Sequence, residues 1–171
     1  MPFPAAVLTT SDQGARGERE DTSGAAIREL LESIGITIAR YEVIPDERAL
    51  IAERMREWCA DAGLQLIVTT GGTGLGPRDV TPEATRDVIE YEVPGIAEAM
   101  RAEGLKHTPM SMLSRALAGV RGRTLIINLP GSPKGVRQNL AVVLPVLTHA
   151  LELLTGEGFE HGTPPGTPSG P

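Results

Sequence analysis

Residues 69–76, TTGGTGLG, form a glycine-rich segment whose composition indicates a functional loop. Residues that lack a Cβ let backbone N–H groups approach a ligand oxygen closely, so this composition is typical of a loop that binds an anion. It is not a Walker loop, because Pro77 occupies the place of the phosphate-binding lysine, and the glycine spacing also differs from the dinucleotide-binding fingerprint. The alternative is a tight turn between a strand and a helix, without a ligand.

Two aspartates, Asp46 and Asp79, lie where carboxylates indicate metal binding or catalysis. Asp46 follows Pro45 at the end of an apolar segment, and Asp79 follows the glycine-rich segment. Because Thr81 is expected to cap the next helix, Asp79 has no evident structural role and is free for a metal or a proton. Together the two carboxylates can hold Mg²⁺ beside a phosphate chain. The alternatives are a helix N-cap for Asp46 and a surface ion pair with Arg78 for Asp79.

Hydroxyl, amide and glycine groups at other strand ends can add contacts to an anion. Ser11 and Asp12 follow the first apolar segment, and residues 21–24 (DTSG) precede a helical pattern, where an ordinary cap is the simpler explanation. Residues 128–134 (NLPGSPK) form a rigid loop that offers an amide and a lysine, with a plain turn as the alternative. Glu83 is explained by the dipole of the helix that it begins.

Strands that alternate with helices must position these groups. Apolar runs predict strands at residues 5–9, 36–44, 64–68 and 124–129. Periodic apolar positions predict helices after each of the first three strands, at residues 94–106 and 110–117, and at residues 136–154. Within the last helix, Pro145 predicts either a kink or a new helix that begins near Leu144.

This order of elements predicts an α/β protein, a three-layer α/β/α sandwich around a mainly parallel sheet. Such sheets bind ligands at the carboxyl ends of their strands, which is where the polar segments occur. Residues 1–156 suit one domain, and the Gly- and Pro-rich residues 157–171 are predicted to be disordered.

Composition excludes several other classes of protein. The net charge of −6 argues against a nucleic-acid partner, because phosphate backbones require clustered Lys and Arg. Cys59 is the single cysteine and cannot form an internal disulfide, which favours a reducing compartment. The N-terminus lacks the pattern of a signal peptide, and no membrane-spanning run is evident. We therefore expect a cytoplasmic protein without a membrane partner.

Taken together, these segments resemble the MogA and MoaB family of molybdenum cofactor biosynthesis proteins, which is related to the G domain of gephyrin. The resemblance covers about residues 5–155. It rests on residues 7–12 (VLTTSD), 44–47 (IPDE), 69–85 (TTGGTGLGPRDVTPEAT), 112–115 (MLSR) and 125–133 (LIINLPGSP).

The resemblance implies an activity, substrates and residue roles. Members of this family transfer AMP from Mg-ATP to the terminal phosphate of molybdopterin, giving adenylyl-molybdopterin and pyrophosphate. The catalytic carboxylates of the family fall on Asp46 and Asp79, which are also the implied Mg²⁺ ligands. The implied substrate- and nucleotide-binding residues are Ser11, Asp12, Gly71, Gly72, Thr73, Gly74, Ser114, Asn128 and Gly131. The family also implies a homotrimer, with a hexamer possible, and a molybdenum insertion enzyme as a partner.

One departure and two alternatives remain at this point. Many relatives carry Asn or Gln at the position of Ser132, so the resemblance implies no role for this side chain. A MoaB-like member can act as a non-catalytic molybdopterin carrier or scaffold. A nucleotide enzyme of the competence-damage type, on the same fold, is the other alternative.

Overall fold

The structure, a computed structural model, describes residues 3–156. These residues contain six β-strands and six α-helices. The strands are β1 (Pro4–Thr10), β2 (Thr37–Ile44), β3 (Leu66–Thr70), β4 (Tyr91–Glu92), β5 (Ala118–Arg121) and β6 (Thr124–Leu129). The helices are α1 (Asp12–Ala15), α2 (Thr22–Ser33), α3 (Arg48–Ala60), α4 (Thr81–Arg86), α5 (Pro94–Leu105) and α6 (Pro133–Thr155), with a 3₁₀ helix at Pro109–Leu113. The predicted disordered tail, residues 157–171, lies outside the described residues.

The strands form one sheet in the order β2-β1-β3-β6-β5-β4. Strands β2, β1, β3 and β6 are parallel, whereas β5 is antiparallel to β6 and β4 is antiparallel to β5. The predicted mainly parallel α/β class is therefore confirmed. The prediction of a helix at residues 110–117 is wrong, because the chain makes a short 3₁₀ helix there and then turns into the antiparallel edge of the sheet.

Two apolar cores, one on each face of the sheet, give the predicted three layers. Alternate residues of β1 point to opposite faces, as the two-residue period of a strand requires. Ala5 and Val7 pack with α2, α5 and α6, whereas Ala6 and Leu8 pack with α3 and α4. Both faces of the central strands are thus buried, which explains why β1, β3 and β6 are almost continuously apolar.

Helix α6 is one continuous helix, so the alternative of a new helix near Leu144 is wrong. Its buried positions form a stripe that packs into the first core: Val136, Leu140, Val143, Leu147 and Leu151. Pro145 is inside the helix, and Gly156 at its C-terminus adopts a left-handed conformation with φ 78°. By length and mean hydropathy (1.2), α6 passes a test for a membrane-spanning helix. One such helix is weak evidence for a membrane span, and the buried stripe of α6 packs against the first core.

The parallel register brings the carboxyl ends of four strands to one edge of the sheet. Thr10 pairs with Ile44 across β1 and β2, and Thr70 pairs with Leu129 across β3 and β6. The segments that follow these strands must therefore meet. They contain the glycine-rich loop and both aspartates that the sequence singled out.

Candidate active site

The first half of the glycine-rich loop packs tightly against its neighbours. Gly71 has φ 98°, and a Cβ there would lie 2.4 Å from the backbone oxygen of Thr10. Gly72 has φ 66°, and its Cβ would lie 2.3 Å from Oγ1 of Thr81. Both positions require glycine for conformation and for close approach. The tight-turn interpretation thus accounts for these two residues, and their binding of phosphate remains a prediction.

Substitution at Gly71 tests the importance of this close approach. We expect Gly71→Ala to lower the free energy of unfolding by more than Gly17→Ala. Gly17 also has a positive φ, 73°, but a Cβ there would meet nothing within 4 Å. The control therefore carries the conformational cost alone, about 1–2 kcal/mol. Chemical denaturation of both variants gives the comparison, and equal losses would show that contact with Thr10 is unimportant.

Asp46 and Asp12 bind each other's backbone and join the ends of β1 and β2. The Asp12 N–H donates to Oδ2 of Asp46 at 3.1 Å, and the Asp46 N–H donates to Oδ1 of Asp12 at 3.0 Å. The N-cap interpretation of Asp46 is wrong, because α3 has Glu47 as its N-cap, with no side-chain cap bond. Burial raises the pKa of the Asp46 carboxyl, and the charges of Asp12 and Asp79 add to that effect.

Asp12 is neutralised by Arg78, which comes from the far end of the glycine-rich loop. The guanidinium donates from Nε and Nη2 to the two carboxylate oxygens, each at 3.0 Å. This two-point contact lowers the pKa of Asp12. The suggested ion pair of Arg78 with Asp79 is therefore wrong. Because Arg78 pairs with Asp12, the partly buried carboxylate of Asp46 has no ion-pair partner among the described residues.

Asp79 lies against the second half of the loop. Its Oδ2 accepts a hydrogen bond from the Gly76 N–H at 2.9 Å, and a Cβ at either Gly74 or Gly76 would lie 2.9 Å from the same oxygen. The expectation that Thr81 caps α4 is wrong, because Val80 is the N-cap. The Thr81 hydroxyl instead contacts that of Thr10, 3.1 Å away. Asp79 therefore has a local structural contact, which the sequence did not indicate.

The arrangement of carboxylates fits Mg²⁺ only as an ion shared with substrate. Burial and the charge of Asp12 raise the pKa of Asp46, and the charge of Asp79 makes the smallest contribution in the same direction. Within residues 3–156, no group of three or more His, Cys, Asp or Glu side chains is arranged to hold a metal. Mg²⁺ is commonly bound by one or two carboxylates together with substrate phosphates, and this pair fits that pattern.

Two cavities flank the glycine-rich loop. The smaller, about 110 Å³, is lined by Thr10, Ser11, Ser23, Gly71 and Gly131, among others. The larger, about 490 Å³, is within the size range of small-molecule sites. Its lining includes Thr73, Gly74, Leu75, Met110, Ser114 and Lys134. The loop thus borders both cavities.

Six of the nine predicted binding residues line these cavities: Ser11, Gly71, Thr73, Gly74, Ser114 and Gly131. Asp12 and Gly72 line neither cavity, and nor does the side chain of Asn128. It is fully buried, donates to the hydroxyls of Thr69 and Thr85 at 3.0 Å each, and accepts from the Leu117 N–H at 3.3 Å. The prediction that Asn128 lines the pocket is therefore wrong for its side chain. A buried amide with these partners holds β3, β6 and α4 together behind the site.

Three serines have local structural contacts. Ser11 caps α1 by accepting from the Gly14 N–H at 3.0 Å, and Ser132 caps α6 by accepting from the Gly135 N–H at 3.0 Å. Ser23 donates to the carbonyl oxygen of Gly131 at 2.5 Å, which ties α2 to the loop after β6. The departure at Ser132 therefore preserves a helix cap.

Sequence reasoning missed Thr10, Leu75 and Met110 as cavity-lining residues. Leu75 and Met110 are 68% and 64% exposed, and both line the larger cavity. Leu75 could have been found because it lies within the glycine-rich segment, whereas no local sequence pattern places Met110 beside that segment.

The chain is similar throughout most of its length to proteins of molybdenum cofactor biosynthesis. Residues 6–149 match the family model described as "Probable molybdopterin binding domain". A molybdopterin adenylyltransferase of Helicobacter pylori strain J99 is 43% identical, over 88% of this chain and 86% of that protein. Gephyrin of Dictyostelium discoideum is 44% identical over 88% of this chain, but only 22% of gephyrin is matched.

A solved structure supports the same assignment. The molybdopterin biosynthesis enzyme MoaB of Thermus thermophilus is 59% identical, covers 90% of this chain and 97% of its own, and superposes with a TM-score of 0.85. The family model and these relatives agree with the motifs that carried the resemblance. The chain therefore belongs to the molybdopterin-binding domain family of molybdenum cofactor biosynthesis proteins.

Proposed function

We propose that this protein is a molybdopterin adenylyltransferase, which transfers AMP from Mg-ATP to the terminal phosphate of molybdopterin. The observation that carries the proposal is the position of the glycine-rich loop. Gly71 borders the smaller cavity, Thr73 and Gly74 border the larger one, and Asp79 lies against Gly74. The named activity of the H. pylori relative supports the same reaction.

In this reaction an oxygen of the terminal phosphate of molybdopterin forms a bond to the α-phosphorus of ATP. The bond from that phosphorus to the oxygen that bridges to the β-phosphate breaks, and pyrophosphate leaves with its electron pair. The attacking phosphate is already an anion, so no proton has to be removed from it. Catalysis then depends on alignment and on neutralisation of charge.

The residues at the strand ends supply both of these effects in the proposal. Asp46 and Asp79 would hold Mg²⁺, which neutralises phosphate charge when bound. The backbone of Gly71, Gly72, Thr73 and Gly74 would orient phosphate oxygens through N–H groups. Ser11 and Gly131 would contact substrate from the smaller cavity and Ser114 from the larger one. Asp12 would contact substrate or nucleotide from its place beside Ser11. Asn128 would contribute by holding the strand ends in place.

The proposal also includes the compartment, the oligomeric state and a partner enzyme. We expect a cytoplasmic homotrimer, with a hexamer as the alternative, that passes adenylyl-molybdopterin to a molybdenum insertion enzyme. Light scattering of the purified protein measures the number of subunits.

An isotope experiment tests the reaction directly. The purified protein is incubated with molybdopterin, Mg²⁺ and ATP labelled at either the α- or the γ-phosphate, and the pterin product is separated. We expect label in the pterin product from α-labelled ATP and label in pyrophosphate from γ-labelled ATP. Tight binding of molybdopterin without transfer of label would contradict the proposal and favour a carrier.

A further inference from the structure

Residues 71–80, between β3 and α4, form neither helix nor strand, yet they must hold the Asp79 carboxylate in one place. The contacts within this segment are few. The Asp79 N–H donates to the Gly76 oxygen at 3.0 Å, and the Asp79 carboxylate accepts from the Gly76 N–H at 2.9 Å. Residues 75–78 are exposed to solvent. A segment of this kind opens easily unless other parts of the protein fix it, and the pairing of Arg78 with Asp12 is one such contact.

Arg115, which follows the 3₁₀ helix, binds three carbonyl oxygens of this segment. Its backbone N–H donates to Thr73, its Nε donates to Gly74, and its Nη2 donates to Asp79, each at 2.8 Å. The guanidinium therefore spans the turn and forms hydrogen bonds with both of its ends, at Gly74 and Asp79. One of these three carbonyl groups is the main-chain carbonyl of Asp79 itself.

The fourth contact of Arg115 fixes the guanidinium in turn. Its Nη1 forms an ion pair with Oε1 of Glu83 at 2.5 Å, with both side chains about one third exposed. Glu83 lies in the first turn of α4, so the interpretation of Glu83 through the helix dipole alone was incomplete. A planar fork with several donors can make these contacts at once, whereas the single ammonium of lysine cannot reproduce them.

We infer that Arg115 is a positioning residue that aims the Asp79 carboxylate by holding the main chain of residues 73–79. Arg115 also follows Ser114, which lines the larger cavity, so the wall of that cavity and the carboxylate are held by adjacent residues. The inference deepens the proposed function and rests on it. A purely structural role for Arg115 is the competing explanation.

A double-mutant cycle with Asp79 separates the two explanations. We compare Arg115→Lys, Asp79→Asn and the double variant for kcat, for KM with each substrate and for the free energy of unfolding. Arg115→Lys is expected to lower kcat by about tenfold to a hundredfold, as displacement of a catalytic group does. In the Asp79→Asn background the same change is expected to lower kcat by less than about threefold, because the group that it aims is already gone.

Arg121→Lys provides a matched control. Arg121 lies on β5, in the antiparallel part of the sheet, and donates from Nη1 to the backbone oxygen of Val88 at 2.9 Å. This variant is expected to change the free energy of unfolding with little change in kcat. An equal loss of kcat from Arg115→Lys in both Asp79 backgrounds would overturn the inference.

Amide hydrogen exchange gives a readout that does not depend on turnover. In the protein without substrates, Arg115→Lys is expected to speed exchange at the Gly76 amide, which is bonded to the Asp79 carboxylate, while amides of β1 and β3 keep their protection. Unchanged exchange at Gly76 would overturn the positioning role. Faster exchange in a protein that shows no AMP transfer would instead support the positioning of Asp79 and contradict the proposed function.

Discussion

Replacing Asp79 with alanine is expected to lower kcat for AMP transfer by about a thousandfold, because the variant loses a carboxylate that would hold the Mg²⁺ that neutralises the reacting phosphates. Folding should depend much less on this carboxylate. Among the described residues it accepts one hydrogen bond, from the Gly76 N–H. Loss of one such bond costs about 1 kcal/mol of unfolding free energy. Single-turnover transfer from α-labelled ATP and urea denaturation measure the two effects.

Asp61→Ala is the matched control for the Asp79 variant. The Asp61 carboxylate also accepts from a nearby backbone N–H, that of Gly63 at 3.0 Å, and pairs with Arg40 on the surface. Its removal should cost comparable stability and leave kcat unchanged. If Asp79→Ala retained most of its activity, or if its activity fell only in proportion to the fraction unfolded, the catalytic role of Asp79 would be wrong.

The parts of the fold that the sequence predicted best are the strands buried on both faces. Strands β1, β3 and β6 are nearly continuous apolar runs that end at polar segments, so their identity and their ligand-binding ends could both be inferred. Strands β4 and β5 could not, because two and four residues are too few to show a period. Residues 110–117 carry apolar residues at helical spacing. Only the tertiary structure shows that a short 3₁₀ helix ends at Leu113 and that no α-helix forms there.

The candidate site was predictable in its residue types but not in its pairings. Asp46 and Asp79 could be singled out because they follow strand ends and a glycine-rich loop. The contact of Arg78 with Asp12 joins residues 66 positions apart, and that of Arg115 with Asp79 joins residues 36 positions apart. Local pattern carries no information about such contacts. For the same reason Asn128, which precedes an exposed loop in the sequence, could not be recognised as a buried residue.

Replacing Asp46 with asparagine is expected to lower kcat by at least about a hundredfold while it increases stability at neutral pH. Burial raises the pKa of the folded-state carboxyl above its unfolded value. The folded protein therefore holds this proton more tightly than the unfolded chain. The contribution of Asp46 to stability is greatest below the unfolded pKa and is lost as pH rises through the folded pKa. At neutral pH the ionised group thus opposes folding, and a neutral amide removes that penalty.

The stability difference between Asp46→Asn and the unmutated protein should therefore grow from acidic to neutral pH, as measured by urea denaturation without Mg²⁺. Asp46→Ala separates charge from hydrogen bonding. Asparagine can still accept from the Asp12 N–H, whereas alanine leaves that donor without its partner and should be less stable than asparagine at every pH. The unfolding free energies of the asparagine variant and the unmutated protein could instead differ by the same amount at every pH. That result would show that Asp46 ionises as an exposed carboxyl does. Its carboxylate would then be a poor candidate for the partly desolvated group that the proposed chemistry requires.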